Sequence, residues 1–261
     1  MNPPSKLPVS ICIIAGNEAH RIGPTLRSVA DWAAEIVVVI NDNVNDGTDK
    51  VVESFGGKVF REPWKGFIGQ KNSAAEKCAS PWLLNLDADE IVTRELRDEI
   101  RSLLQDGTPE HGVYEFPRCT FYCGRWIRHG DWYPDRVWRL WRRGVASWSG
   151  NEPHARLEFK CTTGRLRSDL QHLSAETINH QVVKTMKYAD DFVRQCAASG
   201  KSITFLDLLV RPPWRFLRGY VLRLGFLDGW QGFTIAWLTA FYTFLRYVRV
   251  RESRLKTTGA Q

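Results

Sequence analysis

The sequence predicts an α/β fold in which helices flank a mixed, mainly parallel sheet. Through the first hundred residues, apolar runs of strand length alternate with segments of helical spacing, as in parallel sheets. The run EIVVVI at 35–40 is continuous and β-branched, which is typical of a strand covered on both faces. The chain has 261 residues, of which 43% are hydrophobic and 25% charged. This length and composition suit a globular protein with a sizeable core.

Each element of the alternating half follows from its spacing and composition. The strands are runs such as VSICIIA, and the helices carry apolar residues three or four positions apart, as Ile22, Leu26 and Val29 do. In chain order, the predicted elements are a strand at 9–15, a helix through 22–29, a strand at 35–40, a helix at 48–55, a strand at 58–60, a helix within 66–80 and a strand within 81–90.

Polar clusters follow three of these strands. They are Gly16-Asn17-Glu18, Asn41-Asp42-Asn43 and Asp87-Ala88-Asp89. Ligands of open α/β sheets bind beyond the carboxyl ends of the strands. We therefore expect all three clusters at one edge of the sheet, and the functional site with them.

The stretch LDADE at 86–90 places three carboxylates, Asp87, Asp89 and Glu90, after an apolar strand. Like charges repel at this spacing, so the cluster needs a positive partner. A divalent cation bound to a diphosphate would serve, because Mg²⁺ and Mn²⁺ share oxygen ligands between one or two carboxylates and substrate phosphates. The alternative is structural: Asp87 caps the following helix and Glu90 lies in its first turn.

The overall charge favours an anionic partner. Lys and Arg number 36 against 29 acids, which gives a net charge of +7. Such a partner could be a nucleotide, a nucleic acid or a membrane surface. The six cysteines are scattered without the paired spacing of a zinc site, as expected of reduced thiols in the cytoplasm.

A set of motifs covers nearly the whole chain. In order they are VSICIIAGNEAHRI at 9–22, DGT at 46–48, WKGFIGQKN at 64–72, LDADE at 86–90, GRWIRHGDWYPDRVWRLWRRG at 124–144 and WRFLRGYVLRLGFLDG at 214–229. With this order and spacing, the sequence resembles family 2 glycosyltransferases, and more narrowly the lipopolysaccharide core glycosyltransferases of the WaaE/KdtX type. The resemblance implies a GT-A fold, a nucleotide-sugar donor, a divalent metal and inversion at the anomeric carbon.

The resemblance also implies which residues bind a UDP-sugar and the metal. The nucleotide-sugar residues carried over are Ala15, Asn17, Glu18, Asn41 or Asp42, Lys71, Asp87, Ala88 and Asp89. Asn41 and Asp42 are alternatives because the stretch INDNVNDGT is one residue longer than the family's more usual DSGSTDGT. Asp89 and His172 would hold the cofactor, Mn²⁺ or Mg²⁺.

Lys71 and Asn72 are predicted at the start of a helix. Free N–H groups and a cation at such a position favour an anionic ligand. The alternative for Lys71 is a solvated helix face.

The catalytic base is left open by the sequence. An inverting transfer needs a carboxylate that deprotonates the acceptor hydroxyl. The family has a His followed by an acid downstream of the RL[FW]RR segment, whereas here His154 is followed by Ala155. Three hypotheses follow: Glu152 is the base, Asp135 of the WYPD stretch is the base, or position 155 is the base site and this chain is catalytically weakened.

The C-terminal third predicts helices at a membrane surface. The spacing of apolar residues in 176–198 is that of an amphipathic helix. After a predicted break at Pro212-Pro213, aromatic residues interleave with arginines, as in helices at an anionic membrane interface. Residues 229–245 carry no charge and have about the minimum length of a membrane span. A transmembrane span, an interfacial or re-entrant helical pair, and core helices are the three alternatives.

These predictions divide the chain into a GT-A domain at 1–175 and a helical membrane-association region at 176–261. Within the first domain, 1–105 is the nucleotide-binding half and 106–175 the acceptor half. The expected protein is a metal-dependent, inverting glycosyltransferase that moves a sugar, such as a hexose, from a UDP-linked donor to a lipid-anchored glycan. The lipopolysaccharide inner core is the expected acceptor.

The expected location is the cytoplasmic face of a bacterial inner membrane, against its anionic surface. Two other functions are compatible with the motifs: a polyprenyl-phosphate glycosyltransferase, and a non-catalytic nucleotide-binding partner in envelope glycan assembly. No RNA-binding motif accompanies the C-terminal arginines, so no nucleic-acid partner is expected. The sequence leaves the oligomeric state open.

Overall fold

The structure is a computed structural model that describes residues 6–105, 109–152, 154–175, 177–200 and 202–258. In these residues, ten strands form one mixed sheet and two more form a hairpin. The strands are β1 (Leu7–Ala15), β2 (Ala33–Asn41), β3 (Lys58–Glu62), β4 (Trp82–Asp87), β5 (Glu90–Val92), β6 (Val113–Tyr122), β7 (Arg125–Trp126), β8 (Asp135–Arg142), β9 (Ala146–Asn151), β10 (His154–Phe159), β11 (Thr163–Arg165) and β12 (Leu170–Ala175). The order across the sheet is β3-β2-β1-β4-β8-β6-β12-β5, β7 and β11 pair with β6, and β9 and β10 form the hairpin.

Helices connect and extend these strands. They are α1 (Ile22–Arg27), α2 (Thr48–Ser54), α3 (Gly66–Glu76), α4 (Arg94–Gln105), α5 (Ile178–Ser199), α6 (Phe205–Leu217) and α7 (Gly229–Thr258). Two 3₁₀ turns lie at Gly130–Trp132 and Gly225–Asp228, and a π-helical turn lies at Arg218–Leu222. The predicted α/β fold with flanking helices is confirmed.

The parallel half of the sheet is buried on both faces. Strand β1 pairs in parallel with β2 and β4, and β2 pairs in parallel with β3. Successive side chains of a strand point to opposite faces. Accordingly, Ile11 and Ile13 belong to one core cluster, whereas Cys12 belongs to the other, together with Val37 and Leu83. All five are 2% exposed or less, which accounts for the continuous apolar runs.

The predicted break at Pro212-Pro213 is wrong, because both prolines lie inside α6. Each proline lacks the N–H that would bond to the carbonyl four residues earlier, which disfavours a helix interior. Helix α6 has a complete capping box at its amino end, formed by Thr204 and Asp207, and Pro212 is buried. Capping and packing therefore offset the missing backbone bonds.

The chain divides into two compact units. The first comprises Met1–Arg118 and Asp135–His172, and the second comprises Cys119–Pro134 and Leu173–Gln261. The segment Cys119–Pro134, which the sequence places in the acceptor half, thus belongs to the second unit. Of the helices that the structure describes, none combines the length and the apolar character needed to cross a membrane.

Candidate active site

The three polar clusters lie at one edge of the sheet, as predicted. Strand β1 is flanked by β2 and β4, and all three run in the same direction. Ala15 is opposite Ile40, and Ile14 is opposite Asp87, so the three strands end at nearly the same level. The residues that follow them face one another across the carboxyl edge.

The DGT motif ties together the loops after β1 and β2. The carboxylate of Asp46 accepts hydrogen bonds from the Thr48 hydroxyl at 2.6 Å, the Thr48 N–H at 3.1 Å and the Ala19 N–H at 3.0 Å. The N–H of Glu18 donates to the Thr48 hydroxyl at 2.9 Å. Gly47 between them has φ +90°, which favours glycine. The motif therefore fixes the backbone beside Glu18.

The positive partners of Asp87 are side chains of the protein itself. Lys71 Nζ lies 2.8 Å from Oδ1 of Asp87, and Arg139 Nη2 lies 2.6 Å from Oδ2. Arg139 Nη1 also donates to Oδ1 of the buried Asn85 at 2.7 Å. Burial opposes ionisation, but Arg139 and Lys71 hold the pKa of Asp87 well below its usual range. Burial and the nearby Arg139 in turn lower the pKa of Lys71.

Glu90 is the hub of the same network. It is fully buried, and its Oε1 lies 3.0 Å from Arg139 Nη2 and 3.1 Å from Arg118 Nη1. Its Oε2 accepts the N–H of Asp87 at 2.9 Å. Arg118 also contacts Asp135, at 2.6 Å and 2.9 Å. The reading that Glu90 merely begins the next helix is wrong, because Glu90 lies in β5 and is enclosed by two arginines.

The network pairs three cations with three anions in a region that is buried except at Asp87 and Asp135, which are partly exposed. The cations are Lys71, Arg118 and Arg139, and the anions are Asp87, Glu90 and Asp135. Removing one partner from a buried ion pair leaves an uncompensated charge, which costs about 3–5 kcal/mol. The carboxylate of Asp87 is therefore held in one ionised orientation at the end of β4.

Asp89 lies outside this network and has its own partners. Its Oδ1 is 3.5 Å from Nε2 of His172, and its Oδ2 is 3.4 Å from Nη1 of Arg21. Arg21 also binds Glu18, with Nη2 2.9 Å from Oε1. Burial opposes ionisation, but His172 and Arg21 keep the pKa of Asp89 below its usual range. Arg21 thus connects the acids that follow β1 and β4.

Asp89 and His172 form a two-ligand group that suits a shared cation. No cluster of three or more His, Cys, Asp or Glu with metal-binding geometry exists among the described residues. Mg²⁺ and Mn²⁺ do not require one, because substrate phosphates and water complete their shells. The imidazole Nε2 and carboxylate Oδ1 already point at each other 3.5 Å apart. The side chains present therefore fit a divalent cation that also contacts a phosphate.

The three base hypotheses correspond to three different environments. Asp135 is joined to the ion-pair network through Arg118, and its side chain is 42% exposed. The carboxylate of Glu152 accepts the N–H of Ile68 at 2.8 Å, near the amino end of α3. Ala155 lies in β10 opposite Gly150 and packs against the second core cluster. Only Asp135 is connected by ion pairs to Asp87.

The other predicted donor residues line the same edge with fewer contacts. Ala15 is buried and Asn17 is exposed. Asn41 Oδ1 accepts a hydrogen bond from Gln70 at 3.4 Å. Asp42 is exposed, and its N–H donates to the Glu62 carbonyl at 3.0 Å. Ala88, between Asp87 and Asp89, is buried, and its carbonyl accepts a hydrogen bond from the Thr25 hydroxyl.

Lys71 and Asn72 are not at the start of a helix, because α3 begins at Gly66. Lys71 is instead a buried cation in the second turn, and its Nζ lies 4.6 Å from the ring centre of Trp148. The anion that Lys71 contacts is the side chain of Asp87. Lys71 does not act together with the free N–H groups of a helix terminus.

Sequence reasoning missed several residues of this site. They are Asn85, Arg118, Arg139 and Trp148. One signal was present: in DRVWRLWR, Arg139 lies between apolar residues of a strand, and a buried arginine needs an acidic partner. Trp148 and Asn85 carried no such signal, because their contacts are set by tertiary packing.

Comparisons with known proteins agree with this geometry. The family model described as "Glycosyl transferase family 2" matches residues 10–162. A lipopolysaccharide core biosynthesis glycosyltransferase, LpsC of Rhizobium meliloti, is 32% identical over 95% of this chain and 93% of its own. An uncharacterized glycosyltransferase of Rickettsia felis is 28% identical over 95% of this chain and 91% of its own.

A solved structure has the same fold. The S. aureus TarS fragment 1–349 in complex with UDP-GlcNAc matches 95% of this chain and 92% of its own, with a TM-score of 0.51 and 14% identity. The sheet and its acidic strand ends, with these matches, define a glycosyltransferase of the GT-A fold. The chain belongs to glycosyl transferase family 2.

Proposed function

We propose that this chain transfers a sugar from a UDP-linked donor to a lipid-anchored glycan, such as the lipopolysaccharide inner core, with inversion at the anomeric carbon. One observation carries the proposal: Asp87 and Asp89 lie at the same edge of the sheet as the residues that follow β1 and β2. The relative named as a lipopolysaccharide core biosynthesis glycosyltransferase supports the acceptor class. A hexose is the proposed sugar.

The proposed donor site uses the carboxyl edge from both sides. Ala15, Asn17 and Glu18 would contact the uracil and ribose, and Asn41 or Asp42 would hold the base from β2. Asp87 would accept a hydrogen bond from a ribose hydroxyl, because Lys71 and Arg139 keep its carboxylate ionised and oriented. Residues 1–105 would thus form the nucleotide-binding half of a domain that extends to 175.

Asp89 and His172 would hold the divalent cation, Mn²⁺ or Mg²⁺. When bound, this ion would neutralise the charge that develops on the leaving diphosphate. Asp89 is 11% exposed and its pKa is lowered, so it is an anion at neutral pH and available to a cation. Arg21 holds the second oxygen of Asp89 and limits its rotation.

Asp135 is the proposed catalytic base. A base must be ionised and accessible to the acceptor hydroxyl. The Asp135 carboxylate is partly exposed and pairs with Arg118. Burial would lower the pKa of Arg118, but Glu90 and Asp135 raise it above its ordinary value, so the positive partner persists. Of the three candidate positions, only Asp135 is joined to the ion pairs around Asp87, and position 155 has no acid.

The proposed location is the cytoplasmic face of a bacterial inner membrane, with residues 176–261 against its anionic surface. A lipid-anchored acceptor would be presented there. Exposed apolar side chains on α6 and α7 support this proposal; they include Leu206, Leu209, Trp214, Trp230 and Trp237, all at least half exposed.

The test is a donor-binding and transfer assay on the full chain. We expect UDP-sugars to raise the melting temperature only with Mn²⁺ or Mg²⁺, and Asp89→Asn to abolish that shift without changing the fold. Asp98→Asn, the same change at an exposed acid of α4, is the matched control.

Three outcomes would contradict the proposal. Metal-dependent donor stabilisation retained in Asp89→Asn would remove the metal assignment. A sugar-phosphate-lipid product in place of an extended glycan would identify a polyprenyl-phosphate glycosyltransferase. Donor binding without transfer or hydrolysis above a no-enzyme blank would identify a non-catalytic partner.

A further inference from the structure

Three arginines of the second unit converge on one aspartate. Asp131 Oδ1 lies 2.6 Å from Arg218 Nη1 and 3.4 Å from Arg223 Nη1, and Oδ2 lies 3.2 Å from Arg215 Nη2. The side chain of Asp131 is only 6% exposed. Arg215 lies near the end of α6, Arg218 begins the π-helical turn that follows, and Arg223 comes directly after that turn. We call these three residues the arginine cluster.

The arginine cluster carries more positive charge than Asp131 can balance. Three guanidinium groups face a single carboxylate, and no other acid of the described chain forms an ion pair with any of the three. Each guanidinium has several N–H donors, and within the described ranges the three arginines share one side-chain hydrogen bond, from Arg218 to Asp131. The arginine side chains remain 31–44% exposed. The cluster is therefore accessible and suited to a further anion.

Exposed apolar side chains lie next to the arginine cluster along the chain. Trp214, Leu217 and Leu222 are 51%, 45% and 59% exposed. On a helix, Trp214 and Leu217 form a stripe adjacent to Arg215 and Arg218. A free anion needs no such apolar border, whereas a phospholipid presents a phosphate directly above hydrocarbon.

We propose that the arginine cluster binds the phosphate of an anionic membrane phospholipid while the neighbouring apolar side chains enter the interface. The inference rests on the proposed function and deepens it, since it names the lipid chemistry that holds the second unit at a membrane. Asp131 keeps the guanidinium groups close together and lowers their mutual repulsion before the phosphate binds. Arginine suits this role because its planar donors match phosphate oxygens in pairs.

The experiment is co-sedimentation of the full chain with vesicles at fixed ionic strength. Three vesicle types are compared: phosphatidylcholine, phosphatidylcholine with phosphatidylglycerol, and phosphatidylcholine with oleate at matched negative charge. We expect the tightest binding to the phosphatidylglycerol vesicles. Replacing Arg215, Arg218 and Arg223 together by Gln should weaken that binding by about tenfold or more.

Two further variants keep the result interpretable. Arg94, Arg143 and Arg167 of the first unit form the matched control: changed together to Gln, they remove the same charge and should leave vesicle binding within about twofold. Arg223→Gln alone leaves Arg215 and Arg218 with Asp131, so the fold should persist, and it should weaken binding by several-fold. UDP-sugar binding is measured for every variant and should be unchanged.

Each contrary result has a defined meaning. Equal binding to oleate vesicles, or an equal loss in the control variant, would overturn the phosphate site in favour of general charge. Full displacement by about 10 mM inorganic phosphate, roughly ten times the Kd of a weak millimolar site, would assign the cluster to free phosphate. An arginine-dependent change in oligomeric state without lipid would assign it to a second copy. Failure of UDP-sugar binding in the unaltered chain would refute the proposed function and leave the vesicle result standing.

Discussion

One guanidinium nitrogen of Arg139, Nη2, lies 2.6 Å from Oδ2 of Asp87 at the end of β4. The same atom lies 3.0 Å from Glu90, so a single side chain of β8 links the acids that precede and follow Asp89. Burial opposes the charge on Arg139, but Asp87 and Glu90 raise its pKa above the ordinary value. Strands β4 and β8 are antiparallel neighbours whose backbone pairing ends at Leu84 and Leu140. The ion pair between Asp87 and Arg139 extends their contact beyond that point.

Replacing Arg139 by Gln should lower the free energy of unfolding by about 3–5 kcal/mol, because Asp87 and Glu90 would share too few cations in a buried site. Urea denaturation measures the change. Arg143→Gln, at an exposed position of the next turn, should alter it by less than about 0.5 kcal/mol. A loss below about 1 kcal/mol for Arg139→Gln would mean that Asp87 does not depend on this pairing.

Replacing Asp135 by Asn should lower turnover by about 10²–10⁴-fold and spare UDP-sugar binding, because a positioned carboxylate contributes on that scale. Glu152→Gln and Ala155→Asp should leave turnover nearly unchanged. Initial rates with an acceptor glycan, and a melting-temperature shift with donor, give the two readouts. An increase of tenfold or more in Ala155→Asp would instead place the base at position 155.

Replacing Asn72 by Ala should destabilise the β9–β10 hairpin. The Asn72 amide donates to the Trp148 carbonyl at 2.9 Å and accepts the Trp148 N–H at 2.8 Å. Losing both bonds leaves buried backbone groups unpaired, at about 1–3 kcal/mol. Hydrogen exchange of the Trp148 amide should accelerate, and Asn45→Ala at an exposed loop position should change neither quantity. Unchanged exchange in Asn72→Ala would show that the hairpin is held elsewhere.

Stability in acid should depend on Glu35, at the opposite edge of the sheet. Burial alone would raise its pKa, but hydrogen bonds from Ser10, Lys58 and the Ala79 N–H lower it from 4.5 to about 2. A depressed pKa stabilises the fold fully above pH 4.5, and the contribution disappears as the pH falls through 2.

Glu35→Gln should therefore cost about 3 kcal/mol near pH 6, and the difference from the unaltered chain should shrink below pH 4. Glu53→Gln, an exposed acid of α2, is the control and should show no comparable difference. Urea denaturation at a series of pH values makes the comparison. A Glu35→Gln deficit that is constant from pH 6 to pH 2.5 would attribute the loss to packing.

The parallel half of the fold was predictable because its signals are local. Runs such as 35–40 are apolar and β-branched since both faces of the sheet are covered, and strand order then places Asp87 beside the end of β1. The partners of Asp87 were not predictable, because Lys71 and Arg139 come from α3 and β8, 16 and 52 residues away. The sequence indicated that a cation must lie beside these carboxylates. For Asp87 two protein cations are present, whereas the metal is proposed at Asp89 and His172.

The prolines of α6 and the position of Lys71 illustrate a second limit. Pro212 and Pro213 oppose a helix locally, yet capping and burial outweigh that preference. A helix boundary five residues from the predicted one moved Lys71 from a terminus to a buried turn. Local conformational preferences are small compared with the energy of tertiary packing. They therefore do not determine where a helix ends or which side chains come into contact.

The division of the chain into discontinuous units limits how its parts can be recombined. Tyr122 and Ile127 pack with Ile235 in one cluster of the second unit, although the first two lie 113 and 108 residues earlier in the chain, in Cys119–Pro134. A chimera that took only 176–261 from a relative would keep Cys119–Pro134 of this chain. That segment would then have to pack against the relative's helix α7. Exchange of acceptor or membrane preference between family members should require both pieces to be transplanted together.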